Sequence, residues 1–202
     1  MYHDSVYPVS QTGSTGMAFE AGASGKNLTE WQFGMASLNP RWNVSGTYMQ
    51  VLPSFISTDQ DGNDEKEFLL DYFNELPDLL SMVFLKGYQW PFDVNKIFGG
   101  SSGIDLLVYQ ETVLKKRRVF LDYRVNPGNL EKDRDLPYAS MIPEAKEYLS
   151  QAGACFGTPI ERLKHMNEPA ILFYQDHHVD LFKERLEIAV CAQHNNGGLS
   201  TN

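Results

Sequence analysis

The chain has 202 residues, 42% of them hydrophobic and 21% charged, which suffices for one sizeable domain with a proper core. A net charge of −9 argues against nucleic acid or an anionic membrane surface as partner, since both want a basic face. No stretch reaches the roughly 18 apolar residues of a membrane span, Met1 to Asp4 lacks the layout of a secretion signal, and Cys155 and Cys191 have neither metal-ligand spacing nor a disulfide framework, so the expectation is a reduced, cytoplasmic setting.

In chain order, Tyr7 to Gly16 is turn-rich and leads into a short helix over Met17–Ala23 behind a Ser/Thr cap. Residues Asn27 to Ser57 alternate aromatic, small and polar side chains and predict short strands and loops, with a turn at Asn39-Pro40-Arg41-Trp42. Asp59 to Asp64 has the composition of a calcium loop without its ligand spacing and reads as an acidic turn. Apolar residues three and four apart from Phe68 to Val83 predict the longest helical stretch, Glu65 to Tyr88, with Pro77 starting a second helix and Gly87 ending it. Ile104 to Val113 is helical by pattern, and Lys115 to Arg118 reads as a solvated basic turn before a strand over Arg118–Arg124. Three short helices follow, opened by Pro143, by Thr158-Pro159 with Glu161 in the first turn, and by Asn167-Glu168-Pro169. Arg185 to Gln193 is the last strand. The pattern predicts an α+β unit, mostly helical, with a small mixed or antiparallel sheet.

Two stretches bear on chemistry. His177-His178 lacks ligand spacing and reads as loop histidines, and Cys155 has no histidine near it in sequence. His194 differs: a strand delivers it to Asn195-Asn196-Gly197-Gly198, where two glycines leave the backbone open to close approach. On the residues alone it is equally a catalytic histidine or one that satisfies the loop backbone.

Gln193-His194-Asn195-Asn196-Gly197-Gly198 resembles the His-x-x-Gly-Gly segment of the FAD-dependent succinate dehydrogenase and fumarate reductase flavoproteins. In the same order, Thr12 to Ala23 resembles that family's TGDGxxMAxxAGA helix, Glu30-Trp31-Gln32-Phe33 its EFVQFHPT strand, Pro91-Phe92-Asp93-Val94 its PRDV segment and Val119-Phe120-Leu121-Asp122 its VYLD strand. The resemblance implies a substrate-capping domain over residues 31–185, joined to a flavin-binding portion of the same chain through 1–30 and 186–202. It implies FAD as cofactor and a small organic molecule as substrate. The dinucleotide fingerprint is absent from these residues, so the fragment by itself is not expected to hold FAD or be active.

Only His194 and the glycine pair carry over by position, with Asn196, Gly197 and Gly198 expected beside the cofactor. Gly34 stands where the family has a substrate-binding histidine, and Phe92 where it has an arginine. Fumarate reduction needs cations for two carboxylates and a proton donor. Arg41 and Arg124, with Tyr48 and Tyr123, are the substitutes available, and Trp31, Phe33, Trp42 and Phe92 suit a larger, less charged substrate. The alternative is a non-enzymatic binding domain that kept the cap fold and lost the chemistry.

Overall fold

The computed structural model describes residues 13–130, 136–195 and 197–200. Gly13, at φ 108°, precedes α1 (Ser14–Glu20), and among the described residues no side chain caps that helix; Thr12 lies outside them. α1 buries none of its residues, and neither does β1 (Ser24–Lys26). β2 (Trp31–Leu38) and β3 (Arg41–Asn43) form a hairpin through the cis Asn39–Pro40 bond, so Arg41 and Trp42 belong to a strand and not to the turn. A helical turn, α2 (Thr47–Gln50), stands where short strands and loops were expected, because Tyr48, Met49 and Gln50 are all buried. β4 (Ser54–Thr58) is buried along its whole length.

The helix predicted from Glu65 shrinks to a 3₁₀ turn at Phe68–Asp71. Lys66 exchanges two backbone hydrogen bonds with Ser57, and the Glu67 carboxylate accepts from Gly128 N at 2.8 Å. Those tertiary bonds hold the chain extended before Phe68 and Leu69 turn into the core, so the helical spacing there reports burial, not helix. The second half is as expected: α3 (Leu76–Lys86) has Pro77 in its first turn and Gly87 after its end. α4 (Ser102–Tyr109) runs on into a π-helical stretch, Gln110–Leu114, and β5 (Arg118–Asp122) follows.

α5 (Pro143–Gln151) and α6 (Pro159–Asp176) complete the helices. Thr158 and Glu161 form the expected capping box, Thr158 N donating to Glu161 Oε2 at 2.9 Å. The two helices predicted here meet at Asn167, whose φ of −158° and ψ of 66° break the helical path just before Pro169. The chain ends its described course in β6 (Leu186–Asn195) and β7 (Gly198–Ser200).

Every described strand pair is antiparallel, in a five-stranded sheet of order β3-β2-β6-β5-β4 and a two-stranded ladder of β1 with β7. The fold is α+β, with helix outweighing strand at 41% to 21%. α4 packs on β6, α3 on α2, α4 and α5, and α6 on α2. One continuous core joins sheet to helices through Met35, Phe55, Leu80, Phe84, Leu121, Leu163 and Ile188. No helix among the described residues is long and apolar enough to cross a membrane.

Candidate functional site

β6 carries one residue more than β2 opposite it. The register runs Phe33↔Ala192 and then Gln32↔His194, which leaves Gln193 as the inserted residue of a β-bulge. Gln193 Nε2 donates to the Gly34 carbonyl at 2.8 Å, and its Oε1 accepts from Arg41 Nη2 at 2.8 Å. The same Nη2 lies 3.3 Å from the Ala192 carbonyl. Arg41 is therefore brought to the strand end that carries His194, yet its buried guanidinium is engaged in holding the bulge. A bulge shifts the alternation of the strand beyond it, so Gln193 fixes how β6 enters the His194 segment. His194 itself lies within β6, and the strand runs two residues past its predicted end. Asn196 lies outside the described residues. Gly198 begins β7 opposite Lys26, and among the described residues a Cβ placed on it would meet nothing within 4 Å.

Arg124 is not brought to this place. Its Nε and Nη2 bond both oxygens of Asp122, at 2.9 and 2.7 Å, and its Nη1 bonds the Lys183 carbonyl. Arg185 Nε adds a bond to Asp122 at 2.8 Å and forks onto Glu65 with its other nitrogens. Asp122 follows Leu121, the partner of Leu186 at the start of β6, so this cluster occupies the end of the sheet opposite His194. Tyr48 and Tyr123 are likewise in the core. Tyr123 is fully buried and donates to the Tyr48 carbonyl at 3.2 Å, and burial pushes the Tyr48 hydroxyl up to about 12.

The Asp122 cluster sets a pH dependence. Burial pulls this carboxyl upward, but hydrogen bonds from Arg124 and Arg185 outweigh burial and hold it below the ordinary value. A carboxyl that titrates lower in the folded chain contributes fully above the unfolded value of about 3.9, and that contribution is lost as pH falls through the folded value. Urea denaturation from about pH 6 down to about pH 3 should show stability falling on the acid side. Asp122→Asn should flatten that acid limb; an unchanged slope would assign it to other carboxylates.

Beside the bulge, the loop after α3 closes over β2. Phe92 N donates to the Phe33 carbonyl at 2.7 Å, Asp93 N donates to Ser102 Oγ at 3.0 Å, and Trp90 covers Gly34. A Cβ on Gly34 would fall 2.8 Å from Trp90 Cε2, so the absent side chain is what lets the indole seat there. A cavity of about 450 Å³ opens along this loop, lined by Gln32, Trp90, Phe92, Asp93 and Lys96, and Gln32 is the residue opposite His194. A second, apolar cavity of about 230 Å³ lies between Phe33, Phe92, Val190 and α4. Of the four aromatics expected to line a site, Phe33 and Phe92 do so; Trp42 packs on Phe173 with ring centres 5.1 Å apart, and Trp31 is exposed.

One feature of the site went unseen in the sequence. Lys86, the last residue of α3, and Asp105 of α4 form an ion pair with side chains 0% and 1% exposed, and Asp105 lines the apolar cavity. Burial lowers the ammonium pKa and raises that of the carboxyl. The signal was present: each is a charged residue inside an apolar run, Val83-Phe84-Leu85-Lys86 and Ile104-Asp105-Leu106-Leu107-Val108. The basic run Lys115 to Arg118 is not simply a solvated turn. Arg117 is not solvated but bridges Glu111, Asp64 and the Ser57 carbonyl, and Arg118 pairs with Glu187 at 2.7 Å.

Among the described residues no group of three or more His, Cys, Asp or Glu is placed to hold a metal ion. No family model, no curated protein and no solved structure matches the chain.

Proposed function

We propose that the chain is the substrate-capping part of an FAD-dependent oxidoreductase that exchanges hydride between flavin and an organic substrate, with His194 at the substrate. The observation that carries this reading is the junction. β1 and β7, the segments assigned by resemblance to the joins with a flavin-binding portion, lie side by side. Around them Met17, Phe19, Leu28 and Leu199 are 40–67% exposed, and α1 has no residue buried in this domain. Apolar side chains gathered on such a ladder suit burial against a further domain.

The residues fit a place beside a flavin and not a cradle around one: among the described residues the space over Gly198 is open, and no glycine-rich dinucleotide fingerprint occurs in the sequence. Bound FAD would supply the hydride chemistry. In this reading the chain's own residues bind and shield. The Trp90–Lys96 loop and Gln32 bound the substrate cavity, the Gln193 bulge sets the entry to His194, and closure of the cap excludes water. With Arg41 and Arg124 bonded internally, a small dicarboxylate finds few cations here, whereas the aromatic walls suit a larger and less charged substrate.

The test is the longer protein that contains this chain. Purified, it should carry flavin absorbance. His194→Ala should lower turnover about 100-fold or more, the scale of a lost acid–base group, while flavin content stays the same. A protein that is colourless and takes up no flavin on refolding would overturn the reading. Bound flavin with unchanged turnover would return His194 to a structural role.

A further inference from the structure

The cavity of about 450 Å³ beside the bulge is walled in part by donors that the fold leaves unused. Asp93 caps the turn Val94–Lys96, its Oδ1 accepting from Asn95 N at 2.9 Å and from Asn95 Nδ2 at 3.1 Å. Asp93 N donates to Ser102 Oγ and Lys96 N to the Asp93 carbonyl, so both ends of the turn are tied down. A Cβ on Gly100 would fall 2.8 Å from Lys96 Cβ, and its absence lets the following loop close on the Lys96 stem. The stem is held, but the ammonium is not. Among the described residues its one ionic partner is Asp93 Oδ2, and at 3.7 Å that contact is longer than a hydrogen bond. The Gln32 side-chain amide, on the same wall, hydrogen-bonds to none of the described residues. The remaining wall, Trp90, Pro91, Phe92 and Val94, is aromatic or aliphatic.

We propose that this cavity binds a monocarboxylate with a ring-bearing apolar body, its carboxylate on Lys96 and its rings against Trp90 and Phe92. Charge and size each narrow the class. An ammonium can only donate, so the ligand group on it must accept, and a charged acceptor gains the most. Asp93 stands beside Lys96, so a second carboxylate on the ligand would face a like charge. A cationic amine would meet Lys96 itself, and Asp93 Oδ1 is already bonded twice. An apolar cavity of roughly 150 Å³ takes benzene, so one of about 450 Å³ takes two fused rings with a short acid chain. The proposal names the class of substrate for the cavity described above; it rests on the flavin reading for the chemistry after binding, and on these residues for the binding itself.

The experiment titrates the isotopically labelled 202-residue chain with 2-naphthylacetate, 2-naphthylacetamide and 2-naphthylmalonate, followed by amide chemical shifts. 2-Naphthylacetate should move the signals of Gln32, Trp90, Phe92 and Lys96. It should bind about fivefold or more tighter than its amide, the scale of a hydrogen bond to a charged group discounted for a half-exposed ammonium. The malonate, with two carboxylates on the same ring, should bind more weakly than the acetate. Lys96→Gln should bring the acetate down to the affinity of the amide and leave the amide unchanged. Asp93→Asn, which keeps the Oδ1 cap on Asn95, should narrow the gap between malonate and acetate. No shift with 2-naphthylacetate, shifts confined to other residues, equal affinity for acetate and amide, or an acetate preference that survives Lys96→Gln would overturn the proposal. The titration needs no flavin, so its failure overturns the ligand class alone, whereas a colourless longer protein overturns the flavin reading alone.

Discussion

Arg162→Ala should lower the free energy of unfolding by about 4–5 kcal/mol, at the far end of what single substitutions do. Arg162 is the largest fully buried side chain among the described residues. Its Nε donates to the Val51 carbonyl at 3.1 Å, and its Nη2 donates to Asn126 Oδ1 at 3.0 Å. Its Nη1 reaches the carbonyls of Phe156 at 3.0 Å and Gly157 at 2.6 Å and the Tyr138 hydroxyl at 3.3 Å. Removing the guanidinium strands acceptors from four separate segments in the interior, each at a cost of about 1–3 kcal/mol, and leaves a void. Burial lowers this guanidinium's pKa, yet arginine keeps its charge across the working range, so the network persists. Arg162→Lys should restore less than half the loss, because one ammonium cannot fork to acceptors on all sides. Urea unfolding of the three proteins measures this, and a loss under about 1 kcal/mol for Arg162→Ala would show that the surrounding loops close without it.

Breaking the Lys86–Asp105 pair from either side should cost about 3–5 kcal/mol, whereas removing both partners together should cost little or even stabilise the fold. Both side chains are out of water, so each depends on the other for its charge. Asp105→Ala leaves an ammonium with one long contact, 3.5 Å to the Gln89 carbonyl, in an apolar surround. Lys86→Met leaves a carboxylate with neither oxygen bonded by a cation. In Lys86→Met/Asp105→Leu the desolvation penalty disappears with the attraction. A double-mutant cycle by chemical denaturation should give a large favourable coupling; two single losses that simply add in the double variant would show that no such dependence exists.

The parts of this fold that were legible were those governed by neighbours in sequence. Pro77 and Gly87 bounded α3, Thr158 and Glu161 marked the start of α6, and Asn167 with Pro169 marked its break. The parts that were not legible depend on residues far away. Phe68 and Leu69 have helical spacing, but Lys66 and Glu67 just before them are held by Ser57 and Gly128, and the Tyr48 turn forms because the core takes its side chains. The site divides in the same way. His194 could be placed at a strand end from its own surroundings, but the bulge at Gln193 exists only against β2, and Asp105 meets Lys86 only when α3 packs on α4. Arg124 shows the converse. As a string it was a free cation near a strand, and only the folded chain shows Asp122 and Lys183 occupying it.

The sheet order bears on how the molecule comes to be made. β6 is the last strand of the five-stranded sheet to leave the ribosome, yet it lies between β2 and β5 in the middle. Until residues 186–195 emerge, the nascent chain can assemble a β3-β2 half and a β5-β4 half but cannot join them. Each half then presents an open edge, β2 on one and β5 on the other, of the kind that pairs with whatever strand is nearest. Closure must follow synthesis of the central strand, so the interval before β6 arrives is when the growing chain most needs shelter.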